Sequence, residues 1–118
     1  MLLVLTVDVI SVMIYLMNNG AEAKIRKLSQ NQAKALKAIV SFPVNKGSVV
    51  PGAYVSNASG LSANALGGTV SALARNNFIQ PLGRNSRQFN WELVDPDLIQ
   101  AKKDNSKELL NLIDKIAK

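Results

Sequence analysis

The chain has 118 residues, which is enough for one domain with an ordinary hydrophobic core. It contains neither cysteine nor histidine. Disulfide frameworks, thiolate or imidazole metal sites and histidine-based acid–base catalysis are therefore excluded, and the formal net charge of +6 favours a polyanionic partner.

Residues 1–28 are predicted to form an N-terminal helix. Residues 1–17 are nearly all apolar, but they lack the basic start and the cleavage site of a signal peptide, and they are shorter than the roughly 20 residues of a membrane span. Polar residues follow helical spacing at Asp8, Ser11, Tyr15, Asn18 and Glu22. We favour a helix buried in a dimer interface; a membrane anchor, a strand or a start codon placed too early are the alternatives.

A second helix is predicted from Gln30 to Val40, with Ser29 as its cap. Its apolar face is formed by Ala33, Leu36, Ile39 and Val40. Lys34 and Lys37 fall on the opposite side. Pro43 ends this helix, the following "VNKGSVVPG" is predicted to be a loop, and Pro51 opens a short helix through Ala58.

The segment "LSANALGGTVSALARNNF", residues 61–78, has the spacing of a helix that Ser62 caps. Its apolar stripe consists of Leu66, Val70 and Leu73, with Thr69 beside them. It ends near Asn76 and Asn77, because asparagine tolerates the left-handed conformation. The adjacent Gly67 and Gly68 are unexpected here, since each costs about 1 kcal/mol relative to alanine in a helix interior.

Two strands, "FIQPL" and "QFNWELV", follow as a hairpin, with Pro81 marking an edge strand and Trp91 a core residue. The connection "GRNSR" carries Arg84 and Arg87. After the cap and first-turn pair Asp95–Pro96, residues 96–118 are predicted to be helical. Asn105 and Glu108 offer a second capping box, so one broken helix and two helices are both compatible with this tail.

The charges are segregated along the chain. Between Lys24 and Trp91 there are nine Lys or Arg residues and no Asp or Glu, whereas residues 92–118 carry five Lys and six acids. Solvated protein faces usually mix both signs. The acid-free block is therefore typical of a surface that binds nucleic acid.

The order of elements predicts an α+β fold with a winged helix-turn-helix, three helices plus a two-stranded wing, in residues 29–95, flanked by helices in 1–28 and 96–118. Residues 61–79 resemble the recognition-helix segment of winged-helix transcription regulators of the multiple-antibiotic-resistance-regulator (MarR) type. The matching positions are Leu61–Ser62, Leu66, Leu73, Asn77 and Phe78–Ile79. The likeness covers about residues 29 to 94. It implies a small cytoplasmic transcription regulator that binds double-stranded DNA as a homodimer through its terminal helices. A small-molecule effector between these helices and the winged domain is compatible with the resemblance, although no residue identifies its pocket.

The outward face of the predicted recognition helix consists mostly of small residues: Ala63, Asn64, Gly67, Gly68, Ser71 and Arg75. Small residues let a helix backbone approach the bases and phosphates of a major groove closely. Asn64 is the best base reader, because asparagine pairs bidentately with adenine. Ser62 and Ser71 are expected to contact phosphates, and Arg75 to add a charge at the rim of the groove.

The remaining candidate DNA contacts are basic. Arg84 and Arg87 on the wing are predicted to reach an adjacent minor groove or the DNA backbone, with an ordinary solvated hairpin as the alternative. Lys34 and Lys37 are phosphate contacts or plain surface residues. Two rival functions remain open, a winged helix that assembles with another protein through Gly67 and Gly68, and a membrane-anchored DNA-binding protein.

No enzymatic activity is predicted. The glycines of "GGTVSALAR" lie inside a helix rather than in a phosphate-binding loop. The serine and threonine hydroxyls have no histidine to activate them, and Asp95 and Asp97 are interpreted as the start of a helix. The sequence predicts no cofactor and no metal site.

Overall fold

A computed structural model describes residues 20–85 and 88–118 of the chain. This part is α+β, with six helices and a small antiparallel sheet of three strands. The helices are α1 (20–26), α2 (Gln30–Val40), α3 (Gly52–Ser59), α4 (Ala63–Arg75), α5 (Pro96–Asp104) and α6 (Lys107–Ala117). The strands are β1 (Val49–Val50), β2 (Ile79–Asn85) and β3 (Gln88–Leu93), and a 3-10 turn covers Val44–Lys46.

None of the helices within these described ranges is long and apolar enough to cross a membrane. Residues 1–17, for which an interface helix was favoured over a membrane anchor, lie outside the described residues.

The starts of α2 and α4 and the end of α4 lie at the local signals predicted from the sequence. Ser29 and Gln32 form a complete capping box at the start of α2, with N···O distances of 3.2 and 3.0 Å between each side-chain oxygen and the other residue's backbone nitrogen. Ser62 Oγ accepts a hydrogen bond from Ala65 N at 3.3 Å at the start of α4. Gly60 ends α3 with φ 71°, and Asn77 follows α4 with φ 62°, both in the left-handed region.

The prediction of a loop over "VNKGSVVPG" is wrong at Val49 and Val50. These two residues form β1, which pairs antiparallel with Glu92 and Trp91 of β3. The sheet order is therefore β1-β3-β2, and the predicted two-stranded wing has a third strand at its base. A two-residue strand carries no alternation of its own, so only its pairing partner, more than 40 residues away, defines it.

The β2–β3 hairpin is irregular near its tip. Pro81 pairs with Trp91 and Arg84 with Phe89, so the register shifts by one residue between the two pairs. Gly83 lies in this bulge with φ 85°, a value that glycine adopts without strain. Pro81 lies in the edge strand β2, as predicted, where its missing N–H removes no ladder bond that the sheet needs.

The core is centred on α2, which contacts α3, α4, α6 and β3. Leu36, Ile39, Leu73 and Phe78 are completely buried within it. Trp91 is 8% exposed, which confirms its prediction as a core residue. In α4, Val70 and Leu73 are buried beside Thr69, whereas Leu66 is only half-buried.

The C-terminal tail forms two helices. Asn105 ends α5 in the left-handed conformation with φ 54°, and Ser106 takes the N-cap position of α6 without a side-chain capping bond. The predicted capping box of Asn105 and Glu108 is therefore wrong, because Asn105 serves the end of one helix rather than the beginning of the next. The apolar stripe of α6 faces α2, with Ile113 buried and its neighbours half-buried.

Candidate nucleic-acid interface

The outward side of α4 is exposed along its whole length. The residues predicted to face DNA are all exposed on α4 and its cap: Ser62, Ala63, Asn64, Gly67, Gly68, Ser71 and Arg75. We call these seven residues the α4 face. Because Val70 and Leu73 on the opposite side are buried, packing against α2 sets which side of the helix faces outward.

Gly67 and Gly68 are not required by anything the structure describes. A Cβ atom built at either position meets no atom within 4 Å, and neither residue has a positive φ. Within residues 20–85 and 88–118, no other helix packs closely on the pair. Within the described residues, the outer surface of α4 at these two glycines is therefore exposed backbone that is open to an external partner.

The hydroxyl groups of α4 differ in what they offer a ligand. Ser71 Oγ donates to Gly67 O at 2.9 Å, so its proton is committed to the helix and its lone pairs face outward. Thr69 Oγ1 donates in the same way to Ala65 O at 2.7 Å. Ser62 Oγ instead accepts from the backbone and keeps its proton to donate. In this geometry Ser62 suits a phosphate oxygen, whereas Ser71, also predicted to contact a phosphate, suits a donor such as a base amino group. Contact of either residue with DNA stays a prediction.

Part of the positive charge of the acid-free block is neutralised by the flanking segments. Lys24 pairs with Asp95 at 2.7 Å, Arg26 pairs with Glu22 at 2.6 Å, and Lys37 pairs with Asp114. In the part of the block that the structure describes, no ion pair involves the cations Lys27, Lys34, Lys46 and Arg75. Among the side chains that the structure describes, these four are the charges of the block available to a polyanion.

Lys34 and Lys37 do not lie on the α4 face. They line a cavity of about 270 Å³ together with Ser59 at the end of α3 and Asp114 and Lys118 at the end of α6. Lys37 is held there by its hydrogen bond to the Asp114 carboxylate. Of the two predicted phosphate contacts in α2, Lys34 is therefore the one without a partner among the described residues.

The Lys37–Asp114 pair leads to a prediction about acid stability. The Lys37 hydrogen bond, and the charges of Lys37 and Lys118, hold the pKa of the Asp114 carboxyl below its ordinary value, although burial acts in the opposite direction. A depressed folded-state pKa stabilises the fold above about pH 4, and this contribution is lost as the pH falls through the folded value. Asp114→Asn should therefore flatten the decline of the unfolding free energy below about pH 4. Urea unfolding from pH 3 to 7 tests this, and parallel curves for the wild type and the variant would contradict it.

Of the two wing arginines, only Arg84 lies within the described residues. Arg84 lies in β2 opposite Phe89 of β3, next to the bulge of the hairpin. Arg87 lies outside the described residues. Their contact with a DNA groove or backbone stays a prediction.

One ion pair has no signal in the sequence. Asp95 is 3% exposed, and its Oδ1 accepts from Asp97 N at 3.0 Å and Leu98 N at 3.2 Å, which confirms its prediction as a helix cap. Its second oxygen, Oδ2, is the partner of Lys24. Lys24 and Asp95 are 71 positions apart and no spacing rule connects them, so only the folded structure reveals the pair.

A larger groove of about 640 Å³ lies between α1, α5 and α6. Its lining mixes apolar side chains such as Leu109 and Leu112 with charges of both signs, among them Arg26 and Asp104. Across residues 20–85 and 88–118 there is no cluster of acidic side chains that would hold a metal ion.

These are the features on which a functional assignment must rest. Comparisons with protein-family models, with curated proteins and with solved structures found no match to this chain.

Proposed function

We propose that this protein binds duplex DNA through the α4 face and the wing, as a small cytoplasmic transcription regulator. The single observation that carries the proposal is the exposed and nearly bare surface around Gly67 and Gly68, in a segment of the chain without any acid. A helix of this kind fits closely into a major groove, because its backbone reaches the DNA before its side chains obstruct it.

The arrangement of the elements supports this assignment. Along the chain, α2, β1, α3, α4, β2 and β3 follow one another in an order compatible with a winged helix-turn-helix. In that interpretation α4 is the recognition helix and the β2–β3 hairpin is the wing. The pairing of β1 with β3 ties the base of the wing to the segment before α3.

The composition of the α4 face predicts a particular balance of affinity and specificity. Asn64 is its principal base-reading side chain, and Ser71 adds an outward acceptor. Ser62 and Arg75, with Arg84 and Arg87 of the wing, supply contacts to phosphates. Since few side chains read bases, most of the affinity should come from phosphates, and the preference for one DNA sequence should be modest.

We also propose that the protein acts as a homodimer through its terminal helices. The apolar stripe of α6 is only partly covered by α2, because Leu109, Leu112 and Ile116 remain half-buried. Duplex DNA presents repeated half-sites to a symmetric protein, so a dimer doubles the number of phosphate contacts.

A second candidate is supported by the same open surface. The free space beyond Gly67 and Gly68 also lets a helix of another protein pack closely, in which case α4 serves protein assembly without DNA. The two functions differ in their response to charge. A DNA site depends on phosphate contacts and salt, whereas an assembly site does not depend on duplex DNA at all.

Fluorescence anisotropy of a labelled mixed-sequence duplex across a salt series tests the proposal. We expect binding whose logarithm falls linearly with the logarithm of the salt concentration. Gly68→Glu should weaken it by at least about tenfold, which corresponds to about 1.4 kcal/mol, because a carboxylate is placed against phosphates. The variant should remain as stable as the wild type, since glutamate forms helices better than glycine.

Asn111→Glu is the matched control. Asn111 is exposed on α6, and its replacement makes the same change in net charge away from α4. It should leave the affinity for the duplex nearly unchanged. Equal weakening by both variants would refute binding through the α4 face. No binding of the wild type even at low salt would refute DNA binding and favour protein assembly through α4.

A further inference from the structure

The amine of Lys24 in α1 joins three parts of the molecule. Its Nζ lies 2.7 Å from Asp95 Oδ2, donates to the backbone oxygen of Asn76 at 3.1 Å and sits 4.5 Å from the ring centroid of Phe78. The side chain of Asp95 is 4% exposed and that of Lys24 is 37% exposed. The amine therefore makes two polar contacts and one contact with an aromatic ring within the protein.

Two of the three contacts fall at the exit of α4. The last carbonyl groups of a helix have no partner within it, and a cation there is also favoured by the helix dipole. Asn76 O is one of these carbonyls, and Asn77 turns the chain out of the helix through its left-handed conformation. Phe78, completely buried, then begins the path into β2.

The third contact of the Lys24 amine, with Asp95, lies on the other side of the exit of α4. Phe78 O accepts hydrogen bonds from Val94 N at 2.9 Å and Asp95 N at 3.3 Å, so the end of β3 and the cap of α5 meet the exit of α4 at one residue. Lys24 reaches this junction from α1. Among the described residues, α4, β3 and α5 are joined at the junction by backbone hydrogen bonds, whereas α1 makes no backbone hydrogen bond to it. Among the described residues, the side chain of Lys24 thus supplies the polar contacts between α1 and this junction.

We propose that Lys24 is a positioning residue for DNA binding, through which α1 fixes the C-terminal end of α4 and with it the angle of the α4 face. This role rests on the proposed function. It differs from a phosphate contact, because the ammonium group is occupied by Asp95, Asn76 and Phe78. The end of α4 carries Arg75, so a change in its position moves a charge at the rim of the groove.

The test compares Lys24→Met with the wild type at a temperature where melting curves show both to be folded. Methionine keeps the length of the stem and removes only the ammonium group. We expect the affinity for the mixed-sequence duplex to fall by about fivefold to tenfold, at the lower end of typical couplings between sites. The slope of affinity against salt should stay unchanged, because no phosphate contact is lost.

Two further variants sharpen this test. Lys24→Arg should restore the affinity to within about threefold, since a guanidinium both pairs with carboxylates and stacks on aromatic rings. Lys103→Met removes the same charge from an exposed position on α5, outside the acid-free block, and should change neither affinity nor stability. A salt slope shallower by about one in Lys24→Met would overturn the proposal, because it would make Lys24 a phosphate contact.

Amide hydrogen exchange separates this inference from DNA binding itself. The amides of Asn76 and Phe78, bonded to Ala72 O and Leu73 O at 3.1 Å, should exchange faster in Lys24→Met. The amide of Leu66 at the other end of α4 should keep its protection. This local pattern in a protein that fails to bind DNA would refute the proposed function and leave the positioning of α4 intact. Unchanged or uniformly faster exchange would refute the positioning role.

Discussion

Asp95→Ala is expected to lower the free energy of unfolding by about 3 kcal/mol, which for a domain of this size lowers Tm by about 10–15 °C. The substitution removes the N-cap of α5, worth about 1 kcal/mol, because Oδ1 no longer accepts from Asp97 N and Leu98 N. It also leaves the Lys24 amine without its carboxylate. Breaking a buried pair costs about 3–5 kcal/mol, and the partial exposure of Lys24 reduces this figure.

Two controls separate the cap from the ion pair. Asp95→Asn keeps a good capping oxygen and loses only the charge, so it should be clearly less destabilised than Asp95→Ala. Asp97→Ala removes a neighbouring carboxylate whose side chain has no ion pair among the described residues, and it should change stability by less than about 0.5 kcal/mol. Urea unfolding followed by circular dichroism measures all three. A loss below about 1 kcal/mol for Asp95→Ala would contradict the structural role of the pair.

The double substitution Gly67→Ala, Gly68→Ala is expected to raise the free energy of unfolding by about 1–2 kcal/mol and Tm by several degrees. Each added methyl group enters open space, and neither residue needs a left-handed backbone. The gain comes from helix propensity and from a less flexible unfolded chain. The same variant should bind duplex DNA more weakly, because two methyl groups keep the backbone of α4 away from the groove.

Gly60→Ala is a control that is expected to change the free energy of unfolding in the opposite direction. Its Cβ would also meet open space, but Gly60 has φ 71°, which alanine adopts only with strain. This variant should lose about 1 kcal/mol, although the local room is the same. If the α4 double variant gained no stability while Gly60→Ala behaved as expected, a contact of Gly67 or Gly68 outside the described residues would be required.

The combination of a stability gain and a binding loss would explain why these glycines are present. A helix that served only as part of the core would be more stable with alanine at both positions. The opposite combination, with higher stability and undiminished binding, would remove the main support for inserting α4 into a groove.

The helices were predictable from the sequence because their boundaries are set by neighbouring residues. Ser29, Ser62 and Asp95 accept hydrogen bonds from backbone groups two or three positions away, and Gly60 and Asn77 end helices by their own conformation. Such signals are contained in a window of a few residues. The failed capping box at Asn105 shows the limit of this approach, because the same residue type suits both the end and the start of a helix.

The long-range features were not predictable in this way. Strand β1 exists only through its pairing with β3, and the ion pairs of Lys24 with Asp95 and of Lys37 with Asp114 join positions more than 70 residues apart. The apolar stripe of α4 indicates which side of the helix is buried, so its exposed side could be predicted from the periodicity of the sequence. The commitment of the Ser71 proton to Gly67 O was not, because it depends on a side-chain rotamer.

Within the part of the chain that the structure describes, the two edges of the sheet also limit how copies of this protein come together. Strand β1 is only two residues long, and β2 is interrupted by Pro81 and by the bulge at Gly83. An intact edge strand would offer a row of free N–H and C=O groups to a strand of another molecule, which is a common route to amyloid-like aggregation. Neither edge here offers such a row. Association between folded molecules is thereby directed away from strand addition and toward surfaces formed by side chains.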